Sequence, residues 1–243
     1  MRDALQDILR AGADKARKAR PSEQTKKAHQ DYVTDVDLAL DAFLKDRLSA
    51  LTPDIPVLSE EGDSTALPDR FWMVDPIDGT ANLIAGIPFV GIAVALIEND
   101  QTTLAGVADI HHGAIYSAQK GQGAYQGDTR LEPAQTPTEL IGVSSGVLAY
   151  ADITALRAFG KIRNLGSQAL QLCMVASGQL SANLSYEAKL WDDAAAALIA
   201  TEAGMHYRAH PEGASADDNQ RSICCHPAHI TAITDLDLWE TTR

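Results

Sequence analysis

The stretch Asp75-Pro76-Ile77-Asp78-Gly79-Thr80 follows a short apolar run, Phe71-Trp72-Met73-Val74, and constrains the chain more than any other segment. A buried strand that ends in Asp-Pro-x-Asp-Gly places two carboxylates and a free backbone carbonyl at one strand tip, because Pro76 cannot extend the hydrogen-bond ladder and Gly79 permits a sharp turn. Hard divalent cations bind clustered oxygen atoms of this kind. Since Asp, Pro and Gly also dominate ordinary turns, the hexapeptide alone suits a solvated turn equally well.

Three further acidic clusters lie beside apolar or helical segments. They are Glu60-Glu61-Gly62 after Ile55-Pro56-Val57-Leu58, Trp191-Asp192-Asp193 before the apolar run 194–200, and Asp31-Tyr32-Val33-Thr34-Asp35-Val36-Asp37 before a helical pattern. Each has a structural explanation as well: Asp192 suits a helix cap, and Thr34 with Asp37 suits a capping box. Glu60 alone suits a solvated loop. Together the four clusters favour a centre that binds cations through oxygen.

The composition argues against several classes of protein. A formal net charge of −13 is unsuited to nucleic-acid binding, which needs Lys and Arg to neutralise phosphates. No stretch approaches the roughly 18 apolar residues that span a membrane. The N-terminus, Met1-Arg2-Asp3-Ala4-Leu5-Gln6-Asp7, lacks the apolar core of an export signal, so we expect a cytoplasmic protein. The three cysteines are Cys173, Cys224 and Cys225. They form no even-numbered disulfide framework, and packing in the core explains them better than a metal-binding or catalytic role.

The predicted elements alternate between helices and strands. Apolar spacing predicts one helix that ends at Arg20-Pro21 and a second over 40–48, separated by a polar segment, 22–30, that we expect to be mobile. Segments 90–97 and 103–110 read as a hairpin, and 114–118 and 123–125 continue its sheet. His111 and His112 then fall in a turn. A Pro-rich connection at 133–137 leads to a strand at 141–144 and to helices at 151–159, 167–177 and 192–203.

The combination of D-x-V-T-x-x-D, E-E-G, D-P-I-D-G-T and W-D-x-A-A resembles the inositol monophosphatase superfamily of Mg²⁺-dependent, lithium-sensitive phosphatases. The resemblance runs from about Lys26 to Gly204. It implies an α/β fold, a layered α-β-α-β-α sandwich of the inositol monophosphatase/fructose-1,6-bisphosphatase type. We expect a single domain over 1–243, with a metal-site half at about 1–132 and a substrate half at about 133–243.

The resemblance also implies the metal ligands. Glu60, Asp75 and the carbonyl of Ile77 would hold a first Mg²⁺ that carries the nucleophilic water. Asp75 would bridge to a second Mg²⁺, completed by Asp78 and Asp192, that stabilises the leaving oxygen. A third ion near Glu60 would bring the total from two to three. Every proposed ligand atom is oxygen, which suits Mg²⁺ rather than zinc.

Further roles follow from the same resemblance. Thr80, backed by Asp37, corresponds to the pair that orients and deprotonates the attacking water, although Thr80 also suits a simple helix cap. The N–H groups of Gly79 and Thr80 would bind phosphate oxygens. Lys26 resembles a mobile-loop lysine that approaches the metals, and solvation explains it equally well.

Substrate choice is less constrained by the sequence. Inositol phosphatases usually carry acids at or near the positions of Ser185 and Ser181, and both acids are missing here. Glu187 and Gln168 are the candidate replacement contacts.

We therefore expect a phosphomonoesterase, with inositol 1-phosphate as the leading substrate. Histidinol phosphate and a 3′(2′),5′-bisphosphate nucleotide follow, and a non-catalytic binding protein on the same fold is the alternative outside enzymes. The expected partner is a small phosphorylated metabolite rather than nucleic acid or membrane. Because family members are commonly homodimers, a homodimer is a further expectation.

Overall fold

The computed structural model of the chain describes residues 1–28, 31–62, 67–210, 216 and 218–234. The helices are α1 (Arg2–Lys18), α2 (Asp35–Leu51), α3 (Thr80–Ala85), α4 (Ser145–Tyr150), α5 (Ile153–Leu156), α6 (Gln168–Ala176), α7 (Leu190–Glu202) and α8 (Ile230–Thr234). The strands are β1 (Gln24–Ala28), β2 (Asp31–Thr34), β3 (Val57–Ser59), β4 (Arg70–Asp78), β5 (Gly91–Glu98), β6 (Gln101–Asp109), β7 (Ile115–Gln119), β8 (Ala124–Gln126), β9 (Thr129–Arg130), β10 (Leu140–Val143), β11 (Lys161–Arg163), β12 (Ala182–Ala188), β13 (His206–His210) and β14 (Gln220–Cys225).

The first sheet joins, within the described residues, seven strands in the order β3-β4-β5-β6-β7-β8-β9. Only its edge pair, β3 and β4, is parallel. The β5–β6 hairpin turns through Asn99 and Asp100, whose φ angles of 50° and 61° are those of a two-residue turn matched to strand twist. The predicted hairpin is therefore confirmed.

The second sheet has the order β11-β10-β12-β14-β13 in the part of the chain that is described. β10, β11 and β12 run parallel, whereas β14 is antiparallel to both of its neighbours. The carboxyl ends of the parallel strands therefore meet at one edge, from which α4 and α6 continue the chain.

Three apolar clusters show how the layers stack. One joins α1 and α2 to one face of the first sheet, and a second fills the space between the two sheets with α6 and α7. A third packs α4, α5 and α8 on the outer face of the second sheet. The order is thus α-β-α-β-α, which confirms the predicted fold class.

One local prediction stays untested and another was wrong. Residues 24–28 form β1, which pairs with β2 in an antiparallel ribbon with Lys26 opposite Tyr32; the expected mobility of 22–30 stays a prediction, and residues 29 and 30 lie outside the described part. The helix predicted over 151–159 is wrong in its extent, because α4 ends at Tyr150, before this range, and only α5 (Ile153–Leu156) lies within it. Asp152 separates the two helices, since its carboxylate accepts from the N–H groups of Thr154 and Ala155 and starts a new helix.

Other expectations agree with the structure. Cys173, Cys224 and Cys225 are buried and free of disulfides. His111 and His112 lie in the turn after β6, where their N–H groups donate to Asp109. As a separate observation, no helix in the described part of the chain is both long and apolar enough to cross a membrane.

Candidate metal centre and active site

β4 carries two of the candidate carboxylates to one end of the first sheet. Its pairing with β5 is continuous up to Asp75 and shifts register before Asp78. The shift coincides with Pro76, which has no N–H to donate. Asp75 Oδ1 accepts from the Ile77 N–H at 3.0 Å and so fixes the irregular backbone. Both acids are thereby held at the strand tip.

A third carboxylate reaches this tip from the other half of the chain. Asp75, Asp78 and Asp192 each offer an oxygen, and these oxygens lie within 4.8 Å of one another. Asp192 is in the first turn of α7, where its Oδ2 also accepts from the Lys189 N–H at 2.7 Å. Among the described residues, no ion pair with Lys or Arg neutralises these three acids.

The cluster is electrostatically unfavourable without a cation. Burial raises the pKa of Asp75 well above its usual range, and the charges of Glu60, Asp78 and Asp192 raise it further. Burial likewise raises the pKa of Asp192, with the charge of Asp78 as the next cause. The pKa of Asp78 rises to about 6 because of burial, against hydrogen bonds that lower it. Buried carboxylates of this kind require a compensating charge, and an all-oxygen donor set suits Mg²⁺.

Glu60 reaches the cluster from the end of β3. Its N–H donates to the Val74 carbonyl at 3.0 Å, and its side chain shares a hydrogen bond with Asp75. The preceding Ser59 donates to Asp41, which also pairs with Lys45 at 2.7 Å. This arrangement on α2 holds the chain leading to Glu60.

Thr80 and Asp37 form a hydrogen-bonded pair beside the carboxylates. Thr80 Oγ1 lies 3.0 Å from Asp37 Oδ1 and 3.1 Å from the Ile77 carbonyl oxygen, so its single proton has two acceptors. The other Asp37 oxygen accepts from the Thr34 N–H at 3.0 Å and from the Thr34 hydroxyl. The capping box suggested by the sequence is therefore present, and it orients Asp37 toward Thr80. Burial raises the pKa of Asp37.

Gly79 connects the end of β4 to α3, and the backbone at this position requires glycine. Its φ of 102° lies in the left-handed region, and an added Cβ would meet the Gly166 carbonyl oxygen at 3.0 Å. Gly79 precedes α3 as its N-cap, and Thr80 is the first helical residue without a side-chain cap. The simple capping explanation for Thr80 is thus not what the structure shows.

Asp78 also joins the two halves of the chain. Its Oδ2 accepts from the Ser167 hydroxyl at 2.5 Å and the Ala169 N–H at 2.7 Å, and its Oδ1 accepts from the Gln168 N–H at 3.1 Å. The carboxylate of Asp78 therefore packs against the first turn of α6. The resemblance named Asp78 only as a ligand and gave no sign of these contacts.

The predicted substrate contacts lie in different surroundings. Lys26 is exposed on the β1–β2 ribbon. Glu187 is exposed at the end of β12, where it accepts from the Gly146 N–H at 3.1 Å. Ser181 and Ser185 are buried, and the Ser181 hydroxyl donates to the Leu140 carbonyl at 3.0 Å.

Gln168 is the predicted substrate residue that lies nearest the carboxylates. Its side chain is hydrogen-bonded to Asp193 and Asn183 rather than free. Sequence reasoning gave no role to Asp193, which is buried and accepts hydrogen bonds from Gln168 and Tyr207. The available signal was a second acid directly after Asp192 at the start of an apolar helix.

Comparisons with known proteins point to one family. The model of the inositol monophosphatase family matches residues 2–235. The Mycobacterium tuberculosis protein named inositol-1-monophosphatase SuhB is 37% identical over 201 residues, covering 74% of this chain and 69% of that protein. A Xylella fastidiosa relative named Nus factor SuhB is 32% identical over 190 residues, covering 73% and 69%.

A solved structure described as an IMPase/NADP phosphatase complexed with Mg²⁺ and phosphate shares the fold. Its TM-score is 0.80 at 24% identity, over 98% of this chain and 95% of that one. The family match spans both sheets and every carboxylate of the cluster. The chain belongs to the inositol monophosphatase family of phosphoric monoester hydrolases.

Proposed function

We propose that the chain is a Mg²⁺-dependent phosphomonoesterase that hydrolyses a small metabolite phosphate through activated water. The observation that carries this proposal is the meeting of two buried acids, Asp75 and Asp78, with the partly buried Asp192, beside the Thr80–Asp37 pair. None of the three acids has a basic partner among the described residues. A phosphate monoester is an anion that repels its attacking nucleophile. Its hydrolysis near neutral pH therefore requires the cations that such a cluster attracts.

The proposed site holds two to three Mg²⁺ ions, which suits its oxygen donors. Glu60, Asp75 and the Ile77 carbonyl would hold one, while Asp75, Asp78 and Asp192 would hold another. Bound Mg²⁺ lowers the pKa of water and neutralises charge on the phosphate. It also makes the acidic site attractive to an anion, which the net charge of −13 alone would not.

Thr80 and Asp37 then supply the route for a proton. In the proposed step, the attacking water gives a proton to Thr80 Oγ1 while the Thr80 hydroxyl proton passes to Asp37 Oδ1, 3.0 Å away. Burial makes Asp37 a better proton acceptor than an exposed carboxylate because it raises the pKa. Engagement of the Ile77 carbonyl with a cation would leave Asp37 as the acceptor for Thr80.

The phosphate and the leaving group would bind beside the carboxylates, near the starts of α3 and α6. The N–H groups of Gly79 and Thr80 at the start of α3 are the proposed phosphate donors. The leaving group would face the start of α6, where Gln168 lies, with Glu187 and Lys26 as more distant candidates.

We propose inositol 1-phosphate as the leading substrate, supported by the names of the mycobacterial relatives. Ser185 is a neutral, buried residue where inositol phosphatases usually carry an acid, so histidinol phosphate and a 3′(2′),5′-bisphosphate nucleotide remain the next candidates. One relative carries the name Nus factor SuhB rather than that of a phosphatase, so a non-catalytic binding protein on the same fold is the second candidate function. The intact carboxylate cluster favours catalysis.

Phosphate release from a panel of metabolite phosphates, with and without Mg²⁺, tests this proposal. We expect release only with Mg²⁺ and the highest kcat/KM with inositol 1-phosphate. Absence of release from every compound would favour the non-catalytic alternative. Size-exclusion chromatography with light scattering tests the expected homodimer in the same preparations.

A further inference from the structure

Asp193 is a buried acid that the proposed mechanism does not use. It is 1% exposed, directly follows Asp192 in α7, and lies among neutral polar side chains from the second sheet. Its Oδ2 accepts from the Tyr207 hydroxyl at 2.9 Å and from Gln220 Nε2 at 3.5 Å. The many donors around it indicate that its orientation is fixed, since a buried acceptor with several partners has little freedom to rotate.

The remaining Asp193 oxygen binds the first residue of α6. Gln168 Nε2 donates to Asp193 Oδ1 at 2.8 Å and lies 3.4 Å from Ser222 Oγ, while Gln168 Oε1 accepts from Asn183 Nδ2 at 3.0 Å. Both ends of the Gln168 amide are thus engaged within the protein. These contacts fix the orientation of the Gln168 side chain.

Gln168 touches the metal site through its backbone. Its N–H donates to Asp78 Oδ1 at 3.1 Å, next to the Ala169 N–H that donates to Asp78 Oδ2 at 2.7 Å. Anchoring the Gln168 side chain fixes the residue whose N–H orients Asp78. Asp193 is also bonded through the backbone to Asp192, so one buried acid is linked to two members of the carboxylate cluster by separate routes.

We propose that Asp193 is a positioning residue that, acting through the Gln168 amide, holds Asp78 in the orientation required for the Mg²⁺ ion that Asp78 shares with Asp192. The inference rests on the proposed function and adds a supporting residue to it. Outer contacts that orient metal ligands commonly change metal affinity by about tenfold to a hundredfold when removed. Asp193 therefore acts on metal affinity rather than on the reacting atoms.

The test is calorimetric titration of Mg²⁺ into metal-free protein in the presence of inorganic phosphate, with thermal unfolding measured on the same samples. Asp193→Asn keeps the size of the side chain but replaces one acceptor oxygen by an NH₂ group, which faces the hydrogen-bond donors that surround Asp193. We expect it to weaken Mg²⁺ binding by about tenfold or more. Gln168→Ala should weaken it similarly, and the double variant should be no worse than the stronger single variant, because both changes interrupt one route.

Tyr207→Phe is the matched control. It removes another hydrogen bond to Asp193 and leaves Gln168 untouched, so it should lower the unfolding temperature while Mg²⁺ affinity stays within about twofold of wild type. Equal losses of affinity in Tyr207→Phe and Asp193→Asn would reduce Asp193 to a structural role and overturn the proposal.

The other outcomes are equally decisive. Unchanged Mg²⁺ affinity in folded Asp193→Asn, or additive losses in the double variant, would contradict the inference and leave the proposed function intact. If Asp193→Asn does not fold, Gln168→Ala decides the question, since it retains Asp193. Absence of Mg²⁺ binding by the wild-type protein would overturn the proposed function as well.

Discussion

Replacing Asp75 by Asn is expected to change stability and activity in opposite directions. Asn retains the oxygen that accepts the Ile77 N–H at 3.0 Å, so the strand tip should persist. It removes a buried charge whose pKa is raised by burial and by the charges of neighbouring acids. Because that pKa is raised, the ionised carboxylate costs stability at pH 7.5, so the metal-free variant should be more stable than metal-free wild type at that pH.

The same change removes the proposed bridge between two ions. We expect kcat at saturating Mg²⁺ to fall at least about a hundredfold, equivalent to about 2.7 kcal/mol of transition-state stabilisation. The assay is phosphate release after chelation and titration with Mg²⁺, paired with urea unfolding in chelator. Near-normal turnover, or a metal-free variant less stable than wild type, would refute the reasoning.

Asp109→Asn is a suitable control for this experiment. Asp109 is another buried acid at a strand end, and its Oδ1 also accepts backbone N–H groups, those of His111 at 3.0 Å and His112 at 2.8 Å. Its Oδ2 pairs with His112 Nδ1 at 2.9 Å. Because it lies outside the carboxylate cluster, its replacement should leave kcat within about threefold of wild type and should not stabilise the metal-free protein.

Further expectations concern the proton route, the metals and specificity. Thr80→Val should lower kcat by about a hundredfold or more while Thr80→Ser restores most of it, as stopped or continuous phosphate assays will show; equal activity of the two variants would exclude a role for the hydroxyl. In metal-free protein the raised pKa of Asp78, about 6, means that stability falls as pH rises from about 4 to above 6, so the increase in unfolding temperature caused by Mg²⁺ should be larger at pH 8 than at pH 5 by differential scanning fluorimetry. Li⁺ should inhibit uncompetitively or noncompetitively with respect to substrate in steady-state assays, whereas competitive inhibition would argue against its binding at the second metal position. Because buried Ser185 and Ser181 stand in place of acids, one or two hydrogen bonds from the substrate to a charged group are lost, and discrimination between substrates should be weak. The ratio of kcat/KM for inositol 1-phosphate to kcat/KM for glycerol 2-phosphate should therefore stay below about a thousandfold.

Features encoded in short segments were predictable from the sequence. The hairpin between β5 and β6, the capping box of Thr34 and Asp37, and the helix after Ser167 each depend on residues close together in the chain. The convergence of Asp75 with Asp192 depends instead on the packing of α7 between two sheets. That convergence followed from the family resemblance and not from local pattern.

Contacts between distant segments account for most of what the sequence did not reveal. β1 becomes regular only because β2 pairs with it, and polar composition alone favours a loop there. The hydrogen bonds of Asp78 to residues 167–169 and of Asp193 to Gln168 span 89–91 and 25 positions. Neither periodicity nor capping rules specify such pairs, because these pairs depend on how the helices pack between the sheets.

The central claim is that Asp75 is shared by two divalent cations at the tip of β4. Anomalous diffraction from crystals grown with Mn²⁺ and inorganic phosphate tests it most directly, since Mn²⁺ favours the same oxygen ligands as Mg²⁺ and its position can be measured independently of the protein. We expect two peaks roughly 3.5–4 Å apart, one against Glu60 and Asp75 and the other against Asp75, Asp78 and Asp192. Crystals that contain Mn²⁺ at saturating concentration without a peak at Asp75 would contradict the account.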